Sequence, residues 1–213
     1  TQTGTFSGSK TINIKDIALK YDAGTITPDN IMIADSTISS SNLSLAQTAI
    51  SGTNIGNLLL TLTNNSTGTY LHTEHSDLKN AITSGISTKL YAMGENENFD
   101  DLVLGGTSLS ITTNGYDITS TSNDKSEAGI KVANSNQELS IIGKLDSSSG
   151  NPETTISGFD TAIDNSKGGT VNLTNIELNE NTTDIQNEGT LNLNGKNAIG
   201  TIADNTTPTG TTN

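Results

Sequence analysis

Apolar residues along this chain come in short alternating bursts rather than long runs. Ile12 and Ile14 flank Asn13, Ile17 and Leu19 flank Ala18, Ile31 and Ile33 flank Met32, and Leu43 and Leu45 flank Ser44. Leu58, Leu60 and Leu62 alternate, as do Leu109 with Ile111, Ile130 with Val132, and Leu139 with Ile141. Val171 with Leu173, Ile176 with Leu178, and Leu191 with Leu193 complete the set. A period of two puts one side of each burst on a buried face and predicts a short strand. Gly, Asn, Asp and Ser separate the bursts. Gly takes positive φ, while Asn and Asp tolerate the left-handed region and bond their own backbone, so these separators are turns. Short strands with frequent turns predict an all-β fold: a sandwich, a barrel or a solenoid.

A repeat decides among the three. Gly169-Thr170-Val171-Asn172-Leu173 returns as Gly189-Thr190-Leu191-Asn192-Leu193, 20 residues later. Ile163-Asp164-Asn165 precedes the first copy and Ile185-Gln186-Asn187 the second, at an offset of 22. The Leu109 and Ile130 bursts lie 21 residues apart, on the same scale. A hairpin sandwich has no need for such recurrence. A solenoid does, because each coil lies on its predecessor and meets the same surroundings. Val171 and Leu173 are expected to point into a narrow core with Asn172 outside, and Leu191 and Leu193 to sit one rung along. Asn165 and Asn187 are expected to stack as a hydrogen-bonded ladder. At ~20–24 residues per coil and about 4.8 Å per rung, the chain makes roughly nine or ten coils and a rod of roughly 45 Å. The expected layout is one solenoid domain over residues 1–205, with 206–213 a linker or truncated end.

Residues 64–101 depart from the pattern. They hold both histidines, Tyr70, Tyr91, Phe99 and an acidic cluster. Leu78, Ile82 and Ile86 have helical spacing, and Asp77 or Ser76 suits a helix N-cap. This stretch is expected to be an insertion, a loop or short helical excursion, unless it forms two irregular coils.

Composition narrows the function. Of 213 residues, 31% are hydrophobic and 3% aromatic, too few for a thick core. Low hydrophobicity points towards disorder, but only 15% of residues are charged and there are 3 prolines, which favours a thin-cored β chain. All 10 basic residues are lysine and the net charge is −13. Such a field disfavours nucleic acid and anionic membranes as partners. There is no cysteine, so no disulfide is possible. No apolar run is long enough for a membrane helix, and no signal peptide stands at Thr1.

Candidate chemistry is sparse. His72-Thr73-Glu74-His75 lacks the further ligands a zinc site needs, and solvated histidines are the better reading. Glu95, Glu97, Asp100 and Asp101 offer oxygens to calcium, but in no EF-hand spacing. Asp100 and Asp101 are a carboxylate pair of the kind glycoside hydrolysis uses, yet neighbours on a strand face opposite ways. Sequons such as Asn172-Leu173-Thr174 arise readily in a chain this rich in Asn and Thr. Thr61-Leu62-Thr63 has the form of an ice-binding ladder but does not recur at coil spacing. No catalytic triad, phosphate loop or dinucleotide fingerprint is present, and no cofactor is expected.

The stretch "GGTVNLTNIEL…NEGTLNLNGKNAIGTIADN" resembles the passenger regions of bacterial type V autotransporters, of fusobacterial type. The match is good over residues 160–205 and loose before them. The resemblance implies a right-handed parallel β-helix, exported across the outer membrane and displayed on the cell surface. It implies a non-enzymatic adhesin that binds a host cell-surface receptor or a partner bacterium, through protein or glycan. A membrane barrel, which such proteins carry at the C-terminus, is absent from this chain, as in an excised passenger fragment. Tyr70, Tyr91 and Phe99 are then the candidate partner-binding anchors, because aromatics dominate binding hot spots. The alternative for each is a structural role, pinning the excursion to the rod. The competing functions are a β-helical polysaccharide lyase or hydrolase, an inert spacer and a toxin passenger. The lack of arginine counts against the enzyme.

Overall fold

The computed structural model describes residues 33–34, 58–65, 68–86, 88–122, 125–204 and 211–212. The Ile12–Leu19 and Leu43–Leu45 bursts lie outside the described residues. The chain enters through β1 (Ile33–Ala34), β2 (Leu58–Asn65), β3 (Gly68–His75) and the helix α1 (Leu78–Thr83). Three strands then make a first coil: β4 (Thr88–Ala92), β5 (Glu97–Asn98) and β6 (Leu102–Val103). The second holds β7 (Ser108–Thr112), β8 (Ile118–Thr119) and β9 (Ile130–Lys131), and the third β10 (Glu138–Ile142), β11 (Thr154–Ser157) and β12 (Thr161–Asn165). The fourth holds β13 (Thr170–Thr174), β14 (Ile176–Asn179) and β15 (Thr183–Asn187), and the fifth β16 (Thr190–Asn194), β17 (Ala198–Ile199) and β18 (Ile202–Asp204). Within the stretch expected to be a linker, β19 (Thr211–Thr212) pairs in parallel with Thr190 and Leu191.

These strands form three sheets. The first runs β1-β3-β2-β4-β7-β10-β13-β16-β19, the second β5-β8-β11-β14-β17 and the third β6-β9-β12-β15-β18. From β4 onward every pairing between strands is parallel, and each sheet takes one strand per coil in the same order. That is a β-solenoid-like architecture, in which stacking of coil on coil pairs most of the strand backbone.

In-register pairing lines up apolar side chains as ladders. On the first sheet Leu109, Leu139, Val171 and Leu191 form one ladder, and Ile111, Ile141, Leu173 and Leu193 the next. Ile118, Ile156, Leu178 and Ile199 stack on the second sheet. Leu102, Ile130, Ile163, Ile185 and Ile202 stack on the third. Most of these side chains are fully buried and belong to one continuous core.

The repeat that identified the solenoid pairs as expected: Val171 with Leu191, Leu173 with Leu193, and Ile163 with Ile185. Asn172 faces outward, donates to Ser140 Oγ at 2.9 Å and accepts from Asn192 at 2.8 Å. Asn165 is buried and donates to Asn187 Oδ1 at 2.8 Å and Gly169 O at 3.0 Å. Asn187 in turn donates to Gly189 O at 3.1 Å, so the expected asparagine ladder is present. The glycine that opens each copy is also explained. A Cβ on Gly189 would lie 2.1 Å from Gly169 O, and one on Gly169 would lie 2.4 Å from Val132 Cγ1. The corner is too tight for any side chain.

Three expectations need correction. Leu109 and Ile130 are not stacked rungs: they lie in one coil, on different sheets, and Leu109 pairs with Leu139 while Ile130 pairs with Ile163. The period is not uniform. Lys89, Leu109, Leu139, Val171, Leu191 and Thr212 share one ladder position, so successive coils take 20, 30, 32, 20 and 21 residues, the differences between those numbers. The long coils carry corner loops at 120–129 and 143–153. Finally, the Leu58–Leu62 burst is not a coil. β2 pairs antiparallel with both β3 and β4, which extends the first sheet past the solenoid.

The two asparagine ladders differ in burial, and their loss is expected to differ likewise. Asn187→Ala leaves one buried N–H of the Asn165 amide, the one aimed at Asn187 Oδ1, without an acceptor and lowers unfolding stability by about 1–3 kcal/mol. Asn172→Ala, half-exposed and open to water, costs about 0.5–1 kcal/mol. Urea denaturation of the two variants measures the difference.

Candidate functional site

The segment 64–101 splits into parts with different jobs. Tyr70 is placed through its backbone alone, on β3 opposite Thr63 and Ala34. His72 and His75 lie further along the same strand, opposite Thr61 and Leu58. The helix expected around Leu78 and Ile82 is present but ends at Thr83, so Ile86 falls outside it. Asp77 is its N-cap and accepts the Asn80 N–H at 2.6 Å. Leu78, Ala81 and Ile82 are fully buried. α1 therefore does not project as an excursion; it lies against the first coil.

The first coil is built to receive it. By register, Lys89 holds the ladder position of Leu109, Tyr91 that of Ile111 and Glu97 that of Ile118. Three positions that are apolar in the next coil are polar here, and each polar tip meets the helix or its flank. The Lys89 amine donates to Ile82 O at 3.3 Å and Ser84 O at 2.5 Å, carbonyls at the helix C-terminus that lack partners within the helix. Glu97 Oε1 accepts the Leu78 N–H at 3.4 Å at the other end. Tyr91 donates to the same oxygen at 2.9 Å, with Ser76 O 3.1 Å away. Gly105 N–H closes the seal on Ile82 O at 2.9 Å.

Burial sets the protonation of this group. It lowers Lys89 to about 8. It raises Glu97, and it raises Tyr91 with the help of the Glu97 carboxylate beside it. A neutral Lys89 amine still offers two N–H donors to its two carbonyls, so the seal does not need the charge.

Tyr91 is fully buried and Phe99 nearly so. The Phe99 ring from coil one meets Phe159 from coil three at a centroid distance of 6.0 Å, across a position held by Ser120 in coil two. In this arrangement both rings pack into the core. Asp100 and Asp101 fasten the 120–129 loop. Asp100 takes the Ser120 and Thr121 hydroxyls at one end of the loop, and Asp101 accepts the Ala128 N–H at 3.2 Å at the other. Asp101 also raises Glu127 through a shared hydrogen bond. Among the described residues no cluster of three or more His, Asp or Glu is placed to hold a metal ion, and no helix is long and apolar enough to cross a membrane.

One well-ordered, partly exposed feature is not singled out by the strand pattern: the 143–153 loop. Residues 143–153 stand where the next coil uses Asn175 alone. Asp146 accepts the Ser148 and Ser149 N–H groups at 3.1 and 2.6 Å, which holds its carboxyl below the usual range. Asp146 N–H donates to Asn151 O at 2.8 Å, Lys144 pairs with Glu153 at 2.9 Å, and Lys196 of coil five donates to Asn151 at 2.7 Å. The run Asp146-Ser147-Ser148-Ser149-Gly150-Asn151-Pro152 is a dense block of turn formers, and that was the available signal. No protein-family model, curated protein or solved structure matches the chain.

The Lys89 seal makes a pH prediction. Folding lowers this amine from 10.5 to about 8, so between those values the unfolded chain holds a proton that the folded chain has released. Stability is therefore expected to rise from pH about 8 upward, by on the order of 1 kcal/mol once solvent screening is allowed for. Lys89→Met should flatten that rise, as read from urea midpoints measured across the range.

Proposed function

We propose that this chain works as a non-enzymatic, surface-displayed adhesive rod: a right-handed parallel β-helix from a type V autotransporter passenger. Its partner is a host cell-surface receptor or a neighbouring bacterium, engaged through protein or glycan. The observation that carries the reading is the pattern of coil lengths. Ladder positions stay in register through coils of 20 to 32 residues, and the additional residues go into the corner loops 120–129 and 143–153. A scaffold that holds loops of varied length on an unvaried core suits recognition. The 143–153 loop is the preferred contact region. It is ordered by its own hydrogen bonds, which lowers the entropic cost of binding. Tyr70 remains a candidate anchor.

A specific observation also favours an inert spacer. Among the described residues the exposed large apolar side chains are Val103 and Ile202, at 46% and 38%, too scattered for a hydrophobic hot spot. Recognition on this rod is accordingly polar, and the spacer reading predicts none at all.

The two readings separate in one experiment. Labelled protein is titrated onto epithelial cells and onto Gram-negative partner bacteria. Saturable binding is expected, and replacing 143–153 with a single Asn, as in the next coil, should weaken it by roughly tenfold or more. The variant's urea midpoint should stay close to the parent's. Absence of binding by the parent chain favours the spacer. Parent-like binding by the variant moves the contact elsewhere on the rod.

A further inference from the structure

The chain contains two Asn-Gly dipeptides, Asn114-Gly115 and Asn194-Gly195. This is the pair in which the following backbone nitrogen is least shielded by a side chain. Asn114 lies in the corner after β7, and Asn194 is the last residue of β16, where the next corner begins. Their surroundings differ. Asn114 is half-buried and its carboxamide donates to Met93 O in the coil below at 2.8 Å. Its turn is closed by the Tyr116 N–H on Thr113 O at 3.0 Å. Asn194 is exposed, and among the described residues its carboxamide makes no hydrogen bond. Its main-chain oxygen does the structural work, accepting from Asn197 Nδ2 at 2.9 Å and Asn175 N at 3.3 Å.

The fold also prevents protection of Asn194 by a bulkier neighbour. Gly195 has φ of 67°, and a Cβ there would lie 2.2 Å from Asn175 Oδ1. That oxygen is itself fixed, accepting the Lys196 N–H at 2.9 Å. Close packing of coil five on coil four thus forces glycine after an unrestrained asparagine.

We propose that Asn194 is a site of spontaneous deamidation to aspartate and isoaspartate, and that Asn114 is held inert by its bond to Met93. The Gly195 nitrogen loses its proton and attacks Asn194 Cγ. The new N–C bond closes a five-membered succinimide, the Cγ–Nδ2 bond breaks, and ammonia leaves with the displaced proton. Water then adds to either ring carbonyl and opens the ring, giving aspartate or isoaspartate; no redox partner is needed. Isoaspartate inserts a methylene into the backbone between β16 and β17. The Asn194 carbonyl then moves off Asn175 N and Asn197 Nδ2, which loosens the corner of coil five.

The test incubates the whole folded chain in mildly alkaline buffer and follows both sites by peptide mapping. An isoaspartate-specific carboxyl methyltransferase with its methyl donor serves as a second readout. Near-attack geometry governs ring closure, so Asn194 should convert roughly tenfold or more faster than Asn114 in the folded chain. In urea the two rates should converge, because the Met93 lock is gone. Asn194→Thr, which places at 194 the residue type of its rung partner Thr174, should abolish methyl acceptance in the folded chain. Equal rates in the folded chain, faster loss at Asn114, or a persistent difference in urea would each overturn the proposal.

Discussion

In-register parallel pairing of one coil on the next is the constraint from which the rest of this structure follows. Once Val171 lies opposite Leu191 and Asn165 opposite Asn187, every paired strand position in a coil has a fixed neighbour about 4.8 Å away. Like then stacks on like. Apolar residues form continuous ladders, and the buried Asn165 amide donates to Asn187 on the next rung. Where two backbones come closest, as at Gly169 and Gly189, no side chain fits. A coil gains little from its own few side chains, so its stability comes from its neighbours.

Such a stack has a problem at its ends, where a rung has backbone and apolar surface on one side only. At the entering end the chain meets it in two ways. β2 pairs antiparallel along β4 and so covers the edge of the first sheet. α1 covers the rest with Leu78, Ala81 and Ile82, and the first coil replaces three ladder hydrocarbons with Lys89, Tyr91 and Glu97 to fasten the helix at both ends. Burying an amine and a carboxyl costs stability. The cost is offset because the same groups satisfy helix-terminal backbone that burial would otherwise leave unpaired.

The sequence made these features legible to different degrees, for physical reasons. The 169–195 stretch was readable because its two coils have the shortest corners, so equivalent residues recur at nearly constant spacing. Asp77 was readable as a cap because capping is local. The mispairing of Leu109 with Ile130 arose because a spacing of 21 matches a coil length by accident: coil two carries the 120–129 loop, and the true partner of Leu109 is 30 residues away. The role of Lys89 was hidden because Leu90 and Ala92 suggest the opposite phase, with the lysine outside. Tyr91 and Phe99 drew attention as rare aromatics, but rarity in a thin core also marks the few bulky residues that fill an irregular end or corner. Phe99 does so by reaching Phe159 over the small Ser120.

The same constraint bears on where recognition can reside. A substitution at a ladder position is felt by the coils on both sides, so ladders are poor places for change. An insertion at a corner leaves the ladders intact, as the 30- and 32-residue coils demonstrate beside those of 20. Corners are therefore where such a rod can vary without unfolding, and ordered corner loops are where variation can present a definite shape. The 143–153 loop meets both conditions, through the Asp146 turn and the Lys144–Glu153 pair. Its exposed groups are hydroxyls, amides and charges rather than aromatics, so under the proposed adhesive role the partner surface it suits is polar and hydrogen-bonding rather than apolar.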